Sequence, residues 1–225
     1  MIKAVLFDLD NTLTDTHSIK TRCIKESINK MIIAGLDMPF DKAFDLIMKI
    51  YRKSEYESSN IFQDFLLKAT GKIDYKILSA GVVEYRRIRF KYVKPYNGVE
   101  KMLKILRKND DLILGILTDS PKTKAWIRLT SIKLVDYFDL VLTYDDIRCK
   151  KPNKKGFLKA VKMLKLKPEE ILFVGDIPHK DVLGAKNAGL KTALAKYGQF
   201  LPDSVAPDYV LKTPMDLVKI INARK

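Results

Sequence analysis

Short runs of apolar and branched residues recur along this chain, and each gives way to polar or acidic residues. The runs cover Lys3 to Phe7, Leu112 to Leu117, Leu140 to Thr143, Ile171 to Val174, Lys191 to Ala195 and, more faintly, Asp208 to Leu211. Their near-continuous apolar character is that of strands covered on both faces, and so of a parallel sheet. Between them, Thr123 to Leu129, Lys154 to Leu164 and Val182 to Ala188 have helical spacing and can cross over from one strand to the next. The pattern predicts an α/β fold with a doubly wound parallel sheet.

The first two strands are separated by roughly a hundred residues, far beyond the usual connection of a few residues and one helix. Within that span, Thr16 to Lys94 shows helical spacing only. The apolar positions run Ile19, Cys23, Ile28, Met31 and Ile32; then Phe44, Ile47, Ile50 and Tyr51; then Ile61, Phe62, Phe65 and Leu66; then Ile77, Leu78, Val82 and Tyr85. An inserted α-helical domain over 16–94 is expected, within a core made of 1–15 and 95–225. Thr14-Asp15-Thr16 and Lys94-Pro95-Tyr96-Asn97-Gly98 carry turn chemistry at its two ends.

Composition narrows the class. Of 225 residues 47% are hydrophobic, enough for a real core, and no apolar run reaches the roughly 18 residues that span a bilayer. With no secretory leader pattern and only Cys23 and Cys149, a reduced, cytoplasmic protein without a membrane partner is expected. The formal charge is +15, from 42 Lys and Arg against 27 Asp and Glu. Much of it lies between Arg148 and Lys167, a stretch without acids. There Phe157, Leu158, Val161 and Leu164 form an apolar stripe with lysines opposite, and no aromatics interleave the lysines as base-stacking platforms would. A solvated helix face is therefore favoured over a nucleic-acid surface. A monomer or weak dimer is expected.

The strand ends carry the chemistry. In open parallel sheets ligands bind at the carboxyl edge, where this chain puts Asp8-Leu9-Asp10-Asn11-Thr12, Thr118-Asp119-Ser120 and Gly175-Asp176 through Asp181, with Lys151-Pro152 after the third strand. Four carboxylates, Asp8, Asp10, Asp176 and Asp181, meeting at one point repel unless a cation sits among them, and oxygen ligands suit Mg²⁺. With metal and lysine to neutralise a phosphate, one aspartate can attack phosphorus and form an aspartyl phosphate while another protonates the leaving alkoxide.

In this order the motifs resemble those of the haloacid dehalogenase (HAD) superfamily of phosphohydrolases, over nearly the whole chain. The resemblance implies a Rossmann-like core with strand order 3-2-1-4-5 and a helical cap, here 16–94. It implies Asp8 as nucleophile and Asp10 as general acid/base, with Lys151 steadying phosphate and nucleophile. Thr118 would donate to the phosphoryl group, and Asn11, Asp119 and Ser120 would line the substrate. Asp8, the Asp10 carbonyl, Asp176 and Asp181 would hold Mg²⁺. Asp119 departs from the usual Asn and adds a negative charge. The expected reaction is hydrolysis of a small phosphorylated metabolite, of the glyceraldehyde 3-phosphate or phosphoglycolate type. A phosphomutase, or a nucleic-acid or protein-binding module on the same fold, is the alternative.

Overall fold

The structure, a computed structural model, describes residues 1–53, 60–199 and 204–223. Residues 54–59, 200–203 and 224–225, which fall within the two expected domains, lie outside the described residues. The chain divides into two compact units, Met1–Asp15 with Lys94–Lys225 and Thr16–Val93. Strand β1 (Ala4–Phe7) opens the first unit before the chain departs into the second.

The second unit is helical: α1 (Thr16–Ile33), α2 (Phe40–Lys53), α3 (Ile61–Thr70) and α4 (Tyr75–Tyr92). Ile24, Ile28 and Met31 of α1 meet Ala43 and Ile47 of α2, Phe65 and Leu66 of α3, and Ile77 and Leu78 of α4 in one buried cluster. The three- and four-residue spacing of the α1 and α2 positions puts each of those sets on one helix face, and α3 and α4 each contribute a neighbouring pair. Asp74 caps α4, its carboxylate accepting the backbone N–H of Lys76 (2.9 Å) and Ile77 (3.2 Å).

The chain returns through α5 (Val99–Leu106) to β2 (Ile113–Leu117), α6 (Lys122–Ser131), β3 (Leu140–Leu142), α7 (Tyr144–Ile147) and α8 (Lys155–Leu164). There follow β4 (Ile171–Gly175), α9 (Leu183–Asn187), β5 (Lys191–Ala195), β6 (Tyr209–Leu211) and α10 (Asp216–Asn222). The described strands form one sheet in the order β3-β2-β1-β4-β5-β6, parallel throughout. The expected order thus holds, with the faint sixth run added at the edge. Phe7 is in register with Ile116 on one side and Val174 on the other, so β1, β2 and β4 end within one residue of a common level. Helix α5 is an addition to the elements read from sequence, although Val99, Met102, Leu103 and Leu106 carry a full helical stripe.

On α8 the inner face is Phe157 and Ala160 with Val161 and Leu164 packed beside them, against Leu6, Leu117 and Phe173. Leu158 is 42% exposed and does not belong to the stripe, because one residue of helix turns it about 100° from Phe157. Lys154, Lys155, Lys159 and Lys162 are exposed. No described helix is long and apolar enough to cross a membrane.

Candidate active site

One residue past β1, the Asp8 N–H still donates to the Val174 carbonyl (2.8 Å), which holds Asp8 at the carboxyl edge of the central strand. The chain then turns. Asn11 is left-handed (φ 57°), its N–H donates to the Thr14 carbonyl (2.8 Å), and Thr14 pairs with Pro95 where the chain returns. Asparagine tolerates this conformation better than most residues. The turn sends Asp8 and Asp10 to different partners.

Lys151 is buried, and its Nζ lies 2.7 Å from Asp8 Oδ1 and 2.6 Å from Asp181 Oδ1. Its backbone N–H donates to Asp119 Oδ1 (3.0 Å), which ties the end of β2 to the segment carrying the lysine. After β4, Asp176 is followed by one wide turn, Pro178–Val182, that brings Asp181 back so that its Oδ2 accepts the Ile177 N–H (2.9 Å). Gly175 permits the return, since a Cβ there would overlap the Asp181 side chain. Asp8, Asp176 and Asp181 each present an oxygen within 4.8 Å of the others, all three buried. The Thr12 hydroxyl donates to Asp176 Oδ1 (3.3 Å). Asp176 Oδ2 is buried and has no hydrogen-bond partner among the described residues.

Charge explains what this cluster is suited to. Burial, with the neighbouring Asp181 and Asp10 charges adding to it, pushes the Asp8 carboxyl up to about 7 in spite of Lys151. Burial and the charges of Asp181 and Asp8 hold Asp176 well above the usual carboxylate range. Burial works against the Lys151 ammonium, but Asp181, Asp8 and Asp119 outweigh it and keep its pKa well above the ordinary lysine value. Three carboxylates and one ammonium sum to −2 when all are ionised. A divalent cation balances that charge, and the unpartnered Asp176 Oδ2 offers it a hard oxygen ligand.

The structure therefore brings Asp8, Lys151, Asp176 and Asp181 together. Of the four expected carboxylates, Asp8, Asp176 and Asp181 bring oxygens within 4.8 Å of one another. Asp10 instead accepts the Ser120 hydroxyl at Oδ2 (3.1 Å) and pairs through Oδ1 with Arg128 Nη1. Thr118 is buried at the end of β2, its Oγ1 accepting the Ser120 N–H (3.2 Å), which leaves the hydroxyl proton to donate elsewhere. The carboxylate of Asp119 is engaged with the Lys151 backbone and that of Asp10 with α6. Arg128 and the Thr12 side chain were not legible as site residues. Arg128 sits in an ordinary helical stretch, and only its burial at 6% exposure beside an acid marks it.

A family model described as haloacid dehalogenase-like hydrolase matches residues 2–189. The chain belongs to this hydrolase family. A relative from Pyrococcus furiosus named glyceraldehyde 3-phosphate phosphatase is 35% identical over 227 residues, 98% of this chain and 93% of the relative. One from Halalkalibacterium halodurans named pyrophosphatase PpaX is 32% identical over 230 residues, 99% of this chain and 98% of the relative. The solved structure of a HAD phosphatase from Thermococcus onnurineus is 27% identical, covers 98% of each chain and superposes with a TM-score of 0.73. In this hydrolase the motif-bearing residues occupy the carboxyl ends of β1, β2 and β4 and the segment after β3.

Proposed function

We propose that this hydrolase is a phosphatase that cleaves a small phosphate monoester through an aspartyl phosphate on Asp8, with glyceraldehyde 3-phosphate as the leading substrate. The observation that carries the reading is the buried triad of Asp8, Asp176 and Asp181 around Lys151. The substrate class rests on the name of the Pyrococcus furiosus relative, together with its near full-length similarity.

Asp8, Asp176, Asp181 and the Asp10 carbonyl are the groups that would hold Mg²⁺, which when bound supplies positive charge to the phosphoryl oxygens and the nucleophile. Lys151 holds one Asp8 oxygen at 2.7 Å, orients the carboxylate and balances its charge. Attack by Asp8 on phosphorus forms the O–P bond as the ester O–P bond breaks, and Asp10 delivers the proton to the departing alkoxide. Asp10 then takes a proton from water as that water attacks phosphorus, which returns Asp8 and releases phosphate. The Thr118 hydroxyl donates to a phosphoryl oxygen. The helical unit would act as the cap that excludes water and selects the substrate.

The test is phosphate release over a panel of metabolite monoesters, with phosphoglycolate and pyrophosphate included. Wild type should release phosphate with glyceraldehyde 3-phosphate preferred, and borohydride reduction during turnover should convert Asp8 to homoserine, seen by mass spectrometry. Asp8→Asn should lose on the order of 10⁴-fold or more in kcat while keeping its circular dichroism. Phosphate moved to a second position of the same sugar, without release, would make it a mutase.

A further inference from the structure

Far along the chain, the turn after β5 bears on the loop that carries Asp8 and Asp10. The Tyr197 hydroxyl donates to the Thr12 carbonyl (2.9 Å) across 185 residues of sequence. Beside it Gly198 is buried, and a Cβ there would overlap the Asn11 carbonyl oxygen, so only glycine lets the two backbones approach this closely. The Tyr197 ring is itself held edge-on by Tyr96 at 5.3 Å. One dipeptide thus donates to the Thr12 carbonyl and packs its backbone against the Asn11 carbonyl.

We propose that Tyr197 and Gly198 are positioning residues for the cation-holding carboxylates. The inference rests on the phosphatase reading and deepens it. The left-handed Asn11 is a strained element that persists only where its surroundings over-determine it. With Thr12 fixed by Tyr197, its hydroxyl meets Asp176 Oδ1 (3.3 Å), which sets the rotation of that carboxylate and leaves Oδ2 for the cation. Tyr197 thus reaches the metal position through Thr12 and Asp176. Burial and the nearby Tyr96 and Asp176 push its phenol above the ordinary tyrosine value, so it stays a donor at every working pH. Neither residue touches the reacting atoms.

The experiment is calorimetric Mg²⁺ titration of the whole protein without substrate, paired with kcat, KM and the thermal midpoint in chelator. Tyr197→Phe keeps the ring and removes the donor. It should weaken Mg²⁺ binding by roughly tenfold, the low end for groups behind a metal ligand, and lower kcat with KM for the monoester little changed. Thr12→Val should weaken Mg²⁺ binding as much or more, and Thr12→Ser should restore it. Gly198→Ala should show the same loss more strongly. If that variant fails to fold, Tyr197→Phe and the Thr12 pair still decide. A purely structural role would lower the midpoint and leave the Mg²⁺ affinity alone. Tyr197→Phe or Thr12→Val binding Mg²⁺ like wild type therefore overturns the inference and spares the phosphatase reading. A wild-type protein that binds no Mg²⁺ and releases no phosphate overturns both.

Discussion

Asp8 and Asp10 lie two positions apart, yet one faces Lys151 and the other faces Ser120 and Arg128. The two carboxylates thus have separate partners, and in the proposed reaction Asp8 is the nucleophile and Asp10 the proton carrier. Removing the proton carrier should matter in proportion to how badly the leaving group needs a proton. Asp10→Asn is expected to cost about 10²- to 10⁴-fold in kcat for alkyl phosphates and far less for an activated aryl phosphate. Steady-state rates across a leaving-group series check this, and equal losses along the series would assign Asp10 a purely structural part. Lys151 allows a second prediction at this scale. Taking away its ammonium leaves Asp8 and Asp181 buried without their counter-charge. Lys151→Met should lose about 3–5 kcal/mol in urea unfolding at neutral pH without cation. The loss should shrink as pH falls through 7, because Asp8, pushed up to about 7 even beside Lys151, relieves the repulsion by taking up a proton.

Elements place these residues through where they end. β1, β2 and β4 end within one residue of a common level, so Asp8, Thr118 and Asp176 follow at one edge of the sheet, and the wide turn after β4 returns Asp181 to them. Strand ends and helix stripes were readable along the chain because burial imposes period and run length locally. Leu158 shows the limit of that reading. The stripe of α8 is made of Phe157, Ala160, Val161 and Leu164, and Leu158 falls on its flank, about 100° round the helix from Phe157. In the helical unit, α4 begins at Asp74, whose carboxylate satisfies two otherwise unpaired N–H groups. Asp74→Ala should destabilise that unit by about 1 kcal/mol. Urea unfolding followed by hydrogen exchange in α4 measures it, and Asp74→Ser should recover most of the loss.

At the scale of the whole molecule, stability and cation should be linked through pH. The raised acid of Asp8 makes the folded state bind protons that the unfolded chain has already lost between its ordinary value of 3.8 and about 7. Its contribution is therefore fully present below that ordinary value and fades as pH rises toward 7. On the proposed reading Mg²⁺ would bind the ionised form and compete with those protons, so the stabilisation it confers should grow from pH 5.5 to pH 8. At a hundredfold excess over its dissociation constant it is worth about 2.7 kcal/mol, or roughly 5–10 °C in midpoint for a chain of this size. Thermal scans with and without Mg²⁺ at several pH values test this, and a pH-independent shift would count against the carboxylate cluster as the site.

The amino-acid sequence by itself determined the α/β class, the strand ends, the helical insertion and the aspartate and lysine positions, because each is written in a local run or a short motif. Asp8, Lys151, Asp176 and Asp181 were legible for that reason. Only the tertiary structure decided that three carboxylates cluster while Asp10 turns to Arg128, that Asp119 latches the Lys151 backbone, and that Tyr197 and Gly198 hold the Asn11–Thr12 turn. The Asp119 latch joins residues 32 positions apart, and the Tyr197 contact residues 185 apart. Partner choice at such distances leaves no periodic trace in the chain, since it is set by which strands lie side by side and how closely two backbones can approach.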